Sequence, residues 1–330
     1  ESTGISYLVF GQTDWTAGGG IFLLSSLNGT NGFRINGINS YDLSGFSVKA
    51  AGDINGDGFG DIIIGAYRGE DGYSATVNRG EAYVIFGKAG GFAADFNLQS
   101  LEAGNGSTGF IIRGPNNFPG TQYLGFSVSG IGDFNGDGFD DLIVGAPRAT
   151  AHDGLLRSGA AFVIFGKSNW STTPVINPLT DTVGGLNTGL AGFRIDGLAG
   201  SGSNPLAGDY LGVSVSGAGD VNGDGFADLL VGAHKAEYFA GGSNRGEVYL
   251  IYGGPQTFLG TAKPFFVTPN GDTTGNDELI ANKGPAVQDL LIGGQGNDTL
   301  ASDGGNDVLR GGQGNDLLEI IDGDFSVDAP

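Results

Sequence analysis

Cysteine is absent from all 330 positions, which excludes thiol catalysis, disulfide staples and thiolate metal sites. Methionine is absent too, and glutamate stands at position 1, so the chain is expected to be a processed product or a fragment. Histidine occurs only as His152 and His234, both read as loop residues just after strands. No G-x-S-x-G, H-E-x-x-H or phosphate-cradling glycine loop is present. With no activated nucleophile and no paired base, an enzyme is not expected. Basic residues are scarce, 15 Lys and Arg against 36 Asp and Glu, for a net charge of −21. Phosphate backbones are held by clustered cations, so nucleic acid is not an expected partner. Nor is there a run of 18 apolar residues that would make a membrane span.

Glycine, by contrast, fills 66 positions without a Gly-X-Y period, while 39% of residues are hydrophobic. That combination fits many short strands joined by tight turns, hence an all-β chain, rather than disorder or collagen.

One nine-residue phrase recurs three times: D-I-N-G-D-G-F-G-D at 53–61, D-F-N-G-D-G-F-D-D at 133–141 and D-V-N-G-D-G-F-A-D at 220–228. Oxygen-bearing side chains hold its first, third, fifth and ninth places. They are Asp53, Asn55, Asp57 and Asp61; then Asp133, Asn135, Asp137 and Asp141; then Asp220, Asn222, Asp224 and Asp228. The sixth place is always glycine, at Gly58, Gly138 and Gly225. A short loop wraps calcium in this way: alternate residues point inward, a backbone carbonyl fills the gap, and glycine takes the positive φ of the turn. Three carboxylates about 4 Å apart without a cation would repel by roughly 4 kcal/mol per pair at an effective dielectric near 20. D-G and N-G pairs also make plain turns, but identity at all four oxygen places in three copies argues for the cage. An EF-hand would need glutamate at the twelfth place and helices on both sides. The twelfth places are Ile64, Val144 and Val231, and the flanks are short β-type runs.

Around the cages a longer order repeats. Y-L-V-F-G at 7–11 returns as Y-V-I-F-G at 83–87, F-V-I-F-G at 162–166 and Y-L-I-Y-G at 249–253. Between successive copies come a G-F-R-I-like strand at 32–35, 109–112 and 192–195, then G-[FV]-S-V at 45–48, 125–128 and 212–215. The cage follows, and then D-[IL]-[IL]-[IV]-G-A at 61–66, 141–146 and 228–233. Four strands per unit, with the Y-V-I-F-G strand closing it, is the content of a propeller blade.

G-F-S-V, the cage and V-G-A-P at 144–147, in one order, resemble the FG-GAP repeat, the blade of the integrin α-subunit propeller, over roughly residues 5–254. The resemblance implies calcium held by Asp53, Asn55, Asp57, the carbonyl of Phe59, and Asp61. It implies a second site at Asp133, Asn135, Asp137, Phe139 and Asp141, and a third at Asp220, Asn222, Asp224, Phe226 and Asp228. The proline of GAP survives only as Pro147, with Tyr67 and His234 in the other copies. Integrin-like propellers have more blades than the three complete ones plus a lone strand expected here, and three cannot close a ring. Either further blades precede, or strands after 255 pair with 7–11, or another copy supplies the partner. The long loops at 67–80, 88–108, 147–158 and 167–191, with Trp170, Phe92 and Tyr73, are expected to carry recognition. R-G-E at 79–81 and 245–247 resembles an adhesive R-G-D, but it opens a strand both times and is read as a turn. Asn28, Asn105 and Asn169 head glycosylation sequons.

Four prolines break the pattern from 255 to 292, read as a linker with strand fragments at 265–267 and 289–292. Nonapeptides then run without a gap at 293–301, 302–310 and 311–319, with an out-of-phase relative at 272–280. They resemble the RTX repeat G-G-x-G-x-D-x-U-x, which implies a parallel β-roll with Asp298, Asp307 and Asp316 toward calcium and Leu300, Leu309 and Leu318 inside. The expected domains are blades at 1–254, linker at 255–292, roll at 293–321 and tail at 322–330.

Weak cages of the extracellular kind fill only where calcium is millimolar, and RTX repeats resemble those of exported bacterial proteins. The expectation is therefore a secreted or surface-bound bacterial protein, stabilised by calcium and adhesive or structural, able to assemble head to tail with other copies. Its other partners would be surface protein or polysaccharide. FG-GAP propellers also accompany catalytic domains, so the alternative is a non-catalytic accessory portion of a secreted hydrolase or phospholipase.

Overall fold

The computed structural model describes the chain except residues 1–2, 15–19, 70–77, 115–120, 151–156, 172–174, 179–191, 198–207, 237–245, 255–265, 268–277, 281–289, 296–298, 303–307, 314–316 and 321–330. Strands dominate it, and short runs rich in Val, Ile, Phe and Tyr form them. In chain order the first fifteen are β1 (Ile5–Val9), β2 (Gly32–Asn36), β3 (Ser47–Gly52), β4 (Asp61–Ala66), β5 (Glu81–Ile85), β6 (Asp95–Asn97), β7 (Gly109–Arg113), β8 (Ser127–Gly132), β9 (Asp141–Ala146), β10 (Ala160–Ile164), β11 (Val175–Ile176), β12 (Gly192–Asp196), β13 (Leu211–Gly219), β14 (Asp228–Ala233) and β15 (Glu247–Ile251).

These strands make FG-GAP-type blades, antiparallel meanders whose register aligns one row across each sheet. Val48, Ile64, Tyr83 and Ile111 stand in such a row in the second blade, β3-β4-β5-β7. The third blade is β8-β9-β10-β12. A first blade is represented by β1 paired with β2, and a fourth by β13-β14-β15. The allotment of strands thus differs from the expectation in phase. The Y-V-I-F-G strand is third in its blade, and the next G-F-R-I-like strand closes the sheet from outside. So β1 is not a lone strand, and among the described residues two blades have four strands rather than three. A repeat read off the sequence carries no mark of where its unit begins; only the hydrogen-bonded pairing of β5 with β7 fixes that.

Side chains alternate across each strand, so the second and third blades each bury two faces. Ile64, Tyr83 and Ile85 pack against Phe33 and Ile35 of the first blade. From the opposite face of the second blade, Ile63, Val84 and Phe86 pack against Val128, Val144 and Phe162 of the third. Ile143, Val163 and Phe165 of the third blade meet Val215, Leu229 and Val231 of the fourth. The stack therefore has three apolar interfaces, and the short helix Gln99–Glu102 adds the buried Leu101 to the first of them.

The connections after β5 and β10 turn backward. β6 pairs in parallel with β2, the outer strand of the previous blade, and β11 does the same with β7. Each return also lays an aromatic ring on that blade. Phe92 stacks on Phe33 at 4.2 Å, and Trp170 stacks on Phe110 at 3.9 Å with the rings 4° from parallel. Trp170 is 3% exposed. Trp170 and Phe92, expected to serve recognition, thus pack on a blade, and these segments cover its outer strand, which would otherwise present an unpaired edge. Tyr73 lies outside the described residues.

Six further strands form two parallel three-stranded sheets: β16 (Phe266–Val267), β17 (Glu278–Ile280), β18 (Leu290–Gln295), β19 (Thr299–Ser302), β20 (Val308–Gln313) and β21 (Leu317–Ile320). Their orders are β16-β18-β20 and β17-β19-β21. Leu291 aligns with Leu309 and Leu300 with Leu318, so one coil spans two nonapeptides. β16 pairs with β18 and β17 with β19, not with β1. Among the described residues, none of these strands pairs with 7–11.

Candidate metal centre

Each cage loop is the turn between the first two strands of a blade. A bulge ends the inner strand at Gly52, Gly132 and Gly219, and the next residue is the first-place aspartate. The loop then curls around that carboxylate: Asp57 N donates to Asp53 Oδ1 at 3.0 Å and Gly58 N to Asp53 Oδ2 at 2.8 Å. Asp133 receives Asp137 N and Gly138 N in the same way, and Asp220 receives Asp224 N and Gly225 N. The fifth-place carboxylate accepts from the seventh-place amide in all three, as with Phe59 N to Asp57 Oδ1 at 2.9 Å. Third-place Asn55, Asn135 and Asn222 donate through Nδ2 to Oδ2 of the fifth-place aspartate. Gly58, Gly138 and Gly225 have φ of 86°, 91° and 93° with open space where a Cβ would stand. Glycine is required there by backbone conformation alone.

The ninth-place aspartates begin the second strand of each blade and are buried: Asp61, Asp141 and Asp228 are 2%, 0% and 0% exposed. One oxygen of each accepts the second-place amide, from Ile54, Phe134 or Val221. The other accepts the glycine amide that follows the third strand, Gly87, Gly166 or Gly253, at 2.8 to 2.9 Å. Burial pushes the Asp61 carboxyl up to about 7 and that of Asp141 up to about 8. The two backbone donors pull each back, while the first- and fifth-place carboxylates of the same loop push it further up. Ionisation of Asp61 and Asp141 is thus disfavoured until a cation lies beside them.

The sequence places the four oxygen side chains in one loop, and the structure keeps them there. Among the described residues, however, no three Asp, Glu, His or Cys side chains converge closely enough to hold an ion as they stand, because the carboxylates accept loop amides. The donor chemistry still fits calcium: three carboxylates, one amide oxygen and the carbonyl of Phe59, Phe139 or Phe226, with no nitrogen or sulfur ligand. Asp298, Asp307 and Asp316 lie outside the described residues, as does His152. His234, in the place of the family proline, touches the Tyr210 ring edge-on at 5.5 Å, and burial followed by Lys235 lowers its pKa.

The first R-G-E is structural. Glu81 is 1% exposed and accepts from Arg113 Nε and from the Tyr83 hydroxyl, both at 2.5 Å. The sequons are turns: Asn28 and Asn169 accept from the amide and hydroxyl of Thr30 and Ser171, and Asn105 accepts the Ser107 amide.

Comparison with known families places these loops. The FG-GAP repeat model matches residues 47–85, 124–164 and 211–251, one match per cage, and the RTX calcium-binding nonapeptide model matches 288–318. This chain carries FG-GAP blades followed by RTX repeats. The chain is 28% identical to integrin alpha-5 of Xenopus laevis over 280 residues, covering 79% of this chain and 21% of that protein. It is 30% identical to phosphatidylinositol-glycan-specific phospholipase D of Bos taurus over 220 residues, 65% of this chain and 21% of that one. Integrin alpha-PS2 of Drosophila melanogaster is 27% identical over 69% of this chain and 12% of its own length. The chain therefore spans about a fifth or less of the curated relatives named here.

Residues that site reasoning from sequence passed over are Asp140, which is no cage ligand, and Gly87, Gly166 and Gly253, which hold the ninth-place carboxylates. The constant glycine ending each Y-V-I-F-G run was a signal, since a strand-end glycine repeated four times has a local task. Asp140 carried none, because the eighth place differs in every copy.

Proposed function

We propose that this chain is a calcium-stabilised scaffold outside the cell, secreted or held at a surface, with an adhesive or structural role. The FG-GAP and RTX repeats suggest a calcium-binding extracellular repeat protein, and no described helix is long and apolar enough to cross a membrane. The observation that carries the reading is the placement of three similar cage loops at the same turn of successive packed blades. Calcium held there, by the five oxygens named above for each loop, would clamp the first and second strands of each blade to the end of the third through the buried ninth-place aspartate. The RTX sites at Asp298, Asp307 and Asp316 would add calcium to the roll. Binding of calcium to the folded state alone stabilises it by about 2.7 kcal/mol per site at 100 times Kd. Chelation is therefore expected to lower the melting temperature by tens of degrees, restored by millimolar calcium. A melt indifferent to excess chelator overturns the reading.

The scaffold also has an apolar end. Val248, Leu250 and Tyr252 of the fourth blade are 71%, 36% and 55% exposed. Ala82, Val84 and Phe86, and Ala161, Val163 and Phe165, take the same places in the second and third blades and bury them against the next blade. A second copy docked head to tail would cover this face, as a following blade does inside the chain. Surface protein or polysaccharide remain the other partner classes for the adhesive role.

A second reading is supported by the phospholipase D relatives: a non-catalytic accessory portion of a secreted hydrolase or phospholipase. It differs in one measurable respect. An accessory portion raises the activity of a catalytic domain attached to it, whereas a scaffold adheres or assembles alone.

A further inference from the structure

Neighbouring cage loops touch. The Phe139 ring lies where a Cβ on Gly56 would stand, and the Phe226 ring lies where one on Gly136 would stand. Asp140 N donates to Asp53 O and Ala227 N to Asp133 O, each at 3.2 Å. The Asp140 side chain goes further: its Oδ2 accepts Asp53 N at 2.8 Å and fills the space over Gly52. At the matching place of the third loop, Ala227 puts only a methyl beside Gly132. A second connection runs beneath. Asp141 Oδ1 accepts Gly166 N, the next residue Lys167 donates its amide to Ile54 O, and Ile54 N donates to Asp61 Oδ2. The same path joins Asp228 to Asp141 through Gly253, Gly254 and Phe134.

We propose that the three cages load calcium cooperatively, and that Asp140 is the positioning residue that couples the first cage to the second. The proposal rests on the calcium reading above. Its physical basis is the order of residues 139 to 141. The Phe139 carbonyl and the Asp141 carboxylate are both donors to the second cage, and Asp140 stands between them. Loading the second cage fixes this tripeptide, and with it the ring on Gly56 and the carboxylate on the Asp53 amide. The first loop is then held in its wrapped form before its own ion arrives, so less conformational freedom remains to be lost. Phe226, Ala227 and Asp228 act likewise on the second loop but without the carboxylate, so the coupling there is weaker. Because coupling is reciprocal, loading the first cage tightens the second by the same factor.

Asp140 ligates neither cage, so its replacement leaves both donor sets whole. The experiment is a calcium titration of the full chain followed at the Gly58, Gly138 and Gly225 amides by two-dimensional NMR, one reporter per cage. In the native protein the Gly58 and Gly138 signals are expected to move over one shared, steep calcium range. Asp137→Ala, which disables the second cage, should raise the Gly58 midpoint about fivefold or more. Asp140→Ala should raise the Gly58 and Gly138 midpoints together while leaving Gly225 nearly still, and Asp140→Asn, which keeps an acceptor oxygen, should restore much of the coupling. Ala227→Asp should narrow the gap between Gly138 and Gly225, which tests the idea even if Asp140→Ala fails to fold. Midpoints unchanged in Asp140→Ala and Ala227→Asp, with calcium still bound, overturn the coupling alone. Signals that ignore calcium altogether overturn the calcium reading itself.

Discussion

Gly136 and Gly223 stand at the fourth place of successive loops with φ of 75° and 78°. Both need glycine for the backbone, but only Gly136 also receives a neighbour's ring, since nothing lies near Gly223. Gly223→Ala should therefore cost only the left-handed strain, roughly 1–2 kcal/mol. Gly136→Ala should add an overpacking penalty of about 1–3 kcal/mol against Phe226. Urea unfolding of both variants checks the ranking, and equal losses would mean the ring moves aside freely. The buried aspartates give a pH signature at the same scale. Asp61 and Asp141 have folded values of about 7 and about 8, above the ordinary 3.8. The folded, calcium-free protein therefore holds these protons more tightly than the unfolded chain. Their contribution is fully present below about pH 4 and lost as pH rises through about 7 to 8. Chelated protein should melt higher at pH 5 than at pH 8, and calcium should flatten or reverse the trend. Asp61→Asn with Asp141→Asn should remove much of it. A chelated melting temperature that climbs from pH 5 to pH 8 would contradict the assignment.

At the scale of elements, the backward-turning connections do what a covering helix does elsewhere: they protect an outer strand and fasten two blades. Trp170 shows how much rests on them. It is buried, stacked on Phe110, with Lys167 Nζ 4.4 Å from its ring centre. Trp170→Ala removes a large buried ring and should cost about 3–5 kcal/mol. If Trp170 served recognition instead, the substitution would leave stability almost unchanged. The denaturant midpoint separates the two.

At the scale of the whole molecule, Val248, Leu250 and Tyr252 of the fourth blade are exposed at the places that the second and third blades bury, and the proposed head-to-tail contact would cover them. Val248→Asp with Tyr252→Asp should leave the fold intact, because both residues are exposed, while abolishing concentration-dependent association. Analytical ultracentrifugation in millimolar calcium measures this. A native chain that stays monomeric at high protein concentration would rule assembly out. An association that persists in the double variant would place the contact elsewhere.

The nine-residue cages were legible from the sequence because everything that defines them lies within nine residues: donor spacing, the sixth-place glycine and the β-type flanks. The order of strands was legible for a similar reason, since each strand motif is four or five residues long and recurs. The RTX period was legible as a period, and the pairing of Leu291 with Leu309 shows its coil to be two repeats long. The tertiary structure alone decided which strand closes a blade, because β5 and β7 pair across a long connection and nothing local marks the partner. It alone turned Trp170 and Phe92 inward, since an aromatic residue in a loop reads the same whether it meets solvent or Phe110. It alone gave Asp140 a task, because the amide it accepts lies 87 residues away. Spacing fixes chemistry that the chain completes with its near neighbours, whereas contacts between blades depend on how the sheets stack.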